Sequence, residues 1–238
     1  MRDKPSDPDI ERQLERWAAS QPDEGLSEEL HRKVRDVVTQ SLTPVKPIPG
    51  LSVLVLRFLG VFAVCAAGLI AIVGKTGLHL MTWAQIGWMG LILAVGAILF
   101  ALALAWQMVP GRRRGLSLPW VLALSGLGLI AGIALNFRWQ IPGAFAAEGW
   151  PCGLMELTMG LPAIGLFWLV ARRGALFGSA ALGAALAGLA AFLALTPLQV
   201  QCMFPQAPHL LVWHGGTVTL LIGVGALIGY TRRHRPVS

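Results

Sequence analysis

Charge is scarce in this sequence. Only 13% of its 238 residues are Asp, Glu, Lys or Arg, where a soluble domain carries about 25%. Acid is scarcer still past residue 50: ten of the twelve carboxylates fall in residues 1–50, leaving Glu148 and Glu156. The eleven bases past residue 50 are therefore almost unopposed, and the net charge of +7 comes from arginines that flank apolar segments. That placement argues against a nucleic-acid surface. Cysteine is also sparse. Cys65, Cys152 and Cys202 form no C-x-x-C and no zinc-finger spacing with histidine. The polar first fifty residues hold no cleavable signal peptide, so the first apolar segment is expected to target the chain itself.

Long apolar runs are plentiful. Hydrophobic residues make up 55% of the chain, and apolar stretches of about 20 residues are long enough to cross a bilayer as helices. Six such stretches fall at roughly 51–73, 86–109, 119–137, 153–171, 175–197 and 210–230. The fold class expected is all-α: a polytopic membrane protein with six transmembrane helices, preceded by N-terminal cytosolic amphipathic helices. The expected organisation is a cytosolic segment 1–50, a transmembrane domain 51–230 and a cytosolic tail 231–238.

The short connections set an expected orientation. Arg112, Arg113 and Arg114 follow the second stretch, Arg172 and Arg173 the fourth, and Arg232, Arg233 and Arg235 the sixth. The other three connections hold only Lys75 and Arg138. The positive-inside rule then puts both termini in the cytoplasm. Arg57 is shallow enough in the first span to snorkel back to that side. Trp83, Trp88, Trp139 and Trp150, at the far-side span ends, read as an interfacial aromatic belt. Small residues recur at i, i+4 in Gly128/Gly132, Gly174/Gly178, Ala180/Ala184/Gly188 and Gly225/Gly229. Such stripes let helix backbones approach closely and imply a compact bundle, without implying chemistry.

The segment 1–50 reads as two short amphipathic helices. In the first, Ile10, Leu14, Trp17 and Ala18 share a face. The second opens at Ser27, an N-cap residue with Glu28 and Glu29 in the first turn. Its apolar stripe is Leu26, Leu30, Val34, Val37 and Val38. Two such helices cannot bury a core alone. The stripe needs a partner protein, membrane lipid or the other helix, and the mixed charge favours a protein groove over adsorption to anionic lipid. "TPVKPIPG" then forms an extended linker.

Several stretches together carry a resemblance. They are "SLTPVKPIPG", "MVPGRRR", "PCGLMELTMGLPAIGLFWLVARRGA", "GAALAGLAAFLAL" and "HLLVWHGGTVTLLIGVGALIGYTRR". The chain resembles the NrsF family of six-span bacterial membrane anti-sigma factors over about residues 36–235. The resemblance implies that the cytosolic N-terminal segment holds an extracytoplasmic-function sigma factor inactive at the inner membrane. It also implies that a periplasmic cysteine pair, matching Cys152 and Cys202, matters for the response to signal. Residues 1–25 extend beyond the usual short tail.

That orientation places "QCMFPQAPHLLVWHGG", residues 201–216, at the periplasmic mouth of spans five and six, with Cys152 opening span four at the same level. Glu156 sits one turn deeper than Cys152 on the same face, where a carboxyl group needs a partner. His214 is about a turn into span six, within plausible reach of Glu156. Three readings of the cysteines stay open: a structural disulfide, reactive thiols that meet oxidants or soft metals with His209 or His214 as auxiliaries, or inert side chains. Cys65 reads as a packing residue and His79 as solvated.

The reading is a non-enzymatic signal-transducing regulator with no cofactor and no catalytic residue. Its expected partners are a sigma factor and membrane lipids, without direct nucleic-acid contact. Two other classes compete. A membrane thiol–disulfide oxidoreductase would want cysteines paired in sequence. A small-solute transporter would want a polar midplane site and broken helices. A haem protein is disfavoured because His209 and His214, at i+5 on one helix, would point to different faces.

Overall fold

The computed structural model describes residues 29, 32, 33, 35–37, 49–109, 117–141, 143–172 and 179–233. The chain separates into two units, Met1–Pro47 and Ile48–Ser238. In the first, every described residue is helical, and Lys33 pairs with Glu29 one turn earlier at 2.9 Å. Val37 is exposed there. Leu26, Leu30, Val34 and Val38 lie outside the described residues, as do Ile10, Leu14, Trp17 and Ala18.

The second unit is built from helices long and apolar enough to cross a membrane, six of them among the described residues. They are α1 (Leu51–Val73), α2 (Trp83–Met108), α3 (Leu118–Asn136), α4 (Phe145–Ala171), α5 (Ala180–Gln201) and a sixth span, Ala207–Thr231. Ile72 and Leu135 are 82% and 83% exposed; water would penalise so much apolar surface, and lipid would cover it. A single 3₁₀ turn, Thr76–Leu80, joins α1 to α2 and carries an exposed His79. Thr82 and Gln85 close a reciprocal capping box at the start of α2. The Gln85 side chain also donates to the Asn136 carbonyl at 2.7 Å, pinning α2 to the end of α3.

The core forms around α5. Its run of alanine, glycine and leucine is buried along almost its whole length, because small side chains let neighbours crowd it from every side. It packs against α1, α2, α4 and the sixth span. A Cβ added at Gly183 would meet the Gly225 carbonyl, and one at Gly225 would meet Ala187 and the Gly183 carbonyl. These two helices therefore cross backbone to backbone. Toward α2, the Phe100 and Phe192 rings lie 5.5 Å apart.

The start of span four and the end of span five differ from the sequence expectation. Span four begins at Phe145, not near residue 153. The helix continues through Pro151, in its second turn, where the proline has no N–H to give to the Ala147 carbonyl. Cys152 therefore lies about two turns inside α4, not at its first residue. With 27 residues, α4 is about 40 Å long, against about 30 Å of hydrocarbon. Span five runs on through Pro197 to Gln201, which brings Cys202 to its C-cap.

Span six is not one regular α-helix. One α turn, Ala207–His209, leads into a π-helical segment, Leu210–Gly215, and then α6 (Gly216–Arg233). Its start is tied to the end of α3, where the Ala207 N–H donates to the Arg138 carbonyl at 2.9 Å. Cys202 in turn packs on the 3₁₀ turn, where a Cβ on Gly77 would strike its carbonyl oxygen. The connections 74–82, 137–144 and 202–206 therefore gather at one end of the bundle.

Candidate cysteine–histidine site

Side chains from α4, the α5 C-cap and the start of the sixth span converge at that end. Cys152, Cys202, His209 and His214 each present one donor atom, and these four atoms lie within 4.8 Å of one another. His209, His214 and Glu156 are wholly buried, Cys202 is buried and Cys152 is half-buried. All three cysteines are free thiols. The Cys152 thiol points at the Glu148 carbonyl (3.9 Å) and the Cys202 thiol at the Phe204 carbonyl (3.7 Å). Cys202 sits in the connection between spans, as the C-cap of α5.

The π segment builds this cluster. An α-helix turns about 100° per residue, so residues at i and i+5 point about 140° apart. The wider π turn, closed by i→i+5 hydrogen bonds, swings His214 back over His209. The two rings stand 5.5 Å apart. The expectation that they face apart assumed an unbroken α-helix, and the structure corrects it.

Glu156 fixes the deeper imidazole, that of His214. Its Oε2 lies 3.1 Å from His214 Nδ1, the contact that span depth had suggested. With Nδ1 protonated and donating to the carboxylate, Nε2 of His214 presents its lone pair. That Nε2 and both ring nitrogens of His209 have no hydrogen-bond partner among the described residues. Phe204 walls His209 at 5.4 Å between ring centroids, and Phe145 walls Trp213 at 6.0 Å. Trp213 lies where any Cβ on Gly149 would be, so a glycine in α4 admits the indole that anchors the π segment. Nothing in the spacing of the sequence advertised Gly149 or the π segment; both depend on how two helices meet.

A cavity of about 190 Å³ opens onto the sulfurs. Cys152, Cys202, Met155 and Met203 are among the residues that line it, with Thr76 and Phe204. A larger cavity of about 600 Å³, between α2, α3, α5 and the sixth span, has Ser125 and Thr219 as its polar side chains and none of the four cluster residues in its lining. Cys65 packs half-buried against the core. The cluster can hold a cation through two sulfurs and two nitrogens, or the thiols can be oxidised to one another.

The fold and site define an all-helical protein with six membrane-length spans and a buried Cys–Cys–His–His cluster at one end. The sequence matches the family model described as "NrsF: Negative regulator of sigma F" over residues 38–232. The chain belongs to that family, and its expected role as a negative regulator of a sigma factor follows. Of the five residues in the tail stripe, Val38 alone falls inside the matched region. Neither a curated protein nor a solved structure matches the chain significantly.

Proposed function

We propose that this protein is an inner-membrane anti-sigma factor that sequesters an extracytoplasmic-function sigma factor through its cytosolic segment 1–50. Release is triggered at the periplasmic pair Cys152 and Cys202, by an oxidant or a thiophilic metal. Membership of a family of negative regulators of sigma F supports the regulatory role. The arginines after α2, α4 and α6 support an orientation with both termini in the cytoplasm. The connections that carry the cluster then face the periplasm.

The observation that carries the input end is the meeting of both cysteines with two histidines inside 4.8 Å. Cys152 rides on α4, Cys202 caps α5, and both histidines start the sixth span. A change at this cluster bears on three helices at once. Two bundle states with different affinities for the signal would then present the tail differently.

The test uses the full-length protein in membranes with a cognate sigma factor. A one-to-one complex that is lost when Leu30 and Val34 are replaced by Glu supports the reading. Failure of the wild type to bind any such sigma factor removes it.

A further inference from the structure

We infer that Cys152, Cys202, His209 and His214 form a four-coordinate site for one thiophilic d¹⁰ cation, with Glu156 orienting His214 from behind. The assignment rests on the reading of this cluster as the signal-receiving end, and names what it receives.

Three observations carry it. The first is distance. A tetrahedral shell with metal–sulfur bonds of about 2.3 Å and metal–nitrogen bonds of about 2.0–2.1 Å separates its donors by about 3.3–3.8 Å. Donors already within 4.8 Å of one another close onto an ion with shifts of about 1 Å.

The second is the set of unpartnered nitrogens. Wholly buried imidazoles are costly to leave without partners. Yet among the described residues His209 has none at either nitrogen, and His214 has one at Nδ1 only. The Glu156–His214 contact at 3.1 Å is the carboxylate–imidazole arrangement that fixes a ligating histidine's tautomer and raises its basicity.

The third is the route in. The cavity at the site has four sulfur-bearing residues in its lining, the ligands Cys152 and Cys202 together with Met155 and Met203. Met203 is exposed. Thioethers and thiolates prefer soft cations to magnesium or calcium. On binding, Cys152 and Cys202 coordinate as thiolates and their two protons leave to solvent.

The chemistry is shared by Cu⁺ and by the Zn²⁺ group, and the test separates them. Full-length protein, reduced and purified in detergent, is titrated with Co²⁺, and separately with Zn²⁺ and Cu⁺ against a chromophoric chelator. The expected result is one ion per chain, with the visible bands of tetrahedral Co²⁺ and a thiolate charge-transfer band. Whichever of Zn²⁺ and Cu⁺ competes better at matched free concentration names the cation. Cys202→Ser and His209→Ala each abolish the Co²⁺ spectrum, while Glu156→Gln keeps one ion per chain but weakens binding about 10- to 100-fold. Should His209→Ala fail to fold, Cys202→Ser, which changes one atom, carries the test.

Two results overturn the site: no ion bound beyond the level of a Cys152→Ser/Cys202→Ser double variant, or a Co²⁺ spectrum unchanged by His209→Ala. Sigma-factor binding is scored on the same preparations. A protein that binds a sigma factor but no cation loses this inference and keeps the regulatory reading. One that binds a cation but no sigma factor does the reverse.

Discussion

Nδ1 of His214 lies 3.1 Å from Oε2 of Glu156, across 58 residues of chain, with both side chains sealed from solvent. The pair clamps the sixth span to α4 directly beneath the two cysteines. It is the polar link between these helices that the rest of the site is built on.

Removing the carboxyl group should therefore loosen the bundle. Glu156→Ala leaves a buried imidazole donor unsatisfied, a loss of about 1–3 kcal/mol. Glu156→Gln, which still offers a carbonyl acceptor, should cost less. Thermal unfolding of the two variants in detergent checks the order: wild type, then Gln, then Ala.

Close packing makes a sharper contrast. A Cβ at Gly225 would run into Ala187 and the Gly183 backbone, whereas Gly128 has nothing within 4 Å. Gly225→Ala should destabilise the protein by about 1–3 kcal/mol, as overpacking does. Gly128→Ala should leave the melting temperature within error of wild type. Equal effects from the two would mean that α5 and α6 do not cross where described.

Those glycines also show what the sequence could and could not disclose. Six spans were legible from apolar length alone, and Gly225/Gly229 from its spacing. The Glu156–His214 contact was legible too, because two ionisable groups at one depth in lipid need each other. Gly149 and Gly183 were not, since each is defined by the helix it faces. Nor was the π segment: "HLLVWHGG" reads as ordinary helix, and its extra width shows only in the way His214 returns over His209. The early start of α4 was hidden by Pro151, which in most contexts marks a first turn. The tail stripe remains a sequence expectation, with Val37 alone described.

The cysteines should divide into a pair and a bystander. A mild thiol oxidant should join Cys152 to Cys202 within one chain and leave Cys65, packed against the core, free. Differential alkylation followed by peptide mass analysis reads this directly. Gly149→Leu, which drives a branched side chain into Trp213, should slow the reaction by displacing the π segment. Crosslinking through Cys65 would contradict the arrangement.

Orientation is open to labelling. In a cysteine-free background, Gln140→Cys in the connection after α3 should react with a membrane-impermeant maleimide applied outside spheroplasts. Ser117→Cys, before α3, should react only after the membrane is permeabilised. The reverse pattern would place the cluster in the cytoplasm.

The most direct test of the central claim is release. Full-length protein is placed in lipid vesicles with its sigma factor bound at the face carrying segment 1–50, and a thiophilic cation or a thiol oxidant is added to the opposite face. The account predicts that the sigma factor dissociates from the wild type and stays bound to the Cys152→Ser/Cys202→Ser variant. Equal release from both, or retention by both, would contradict it.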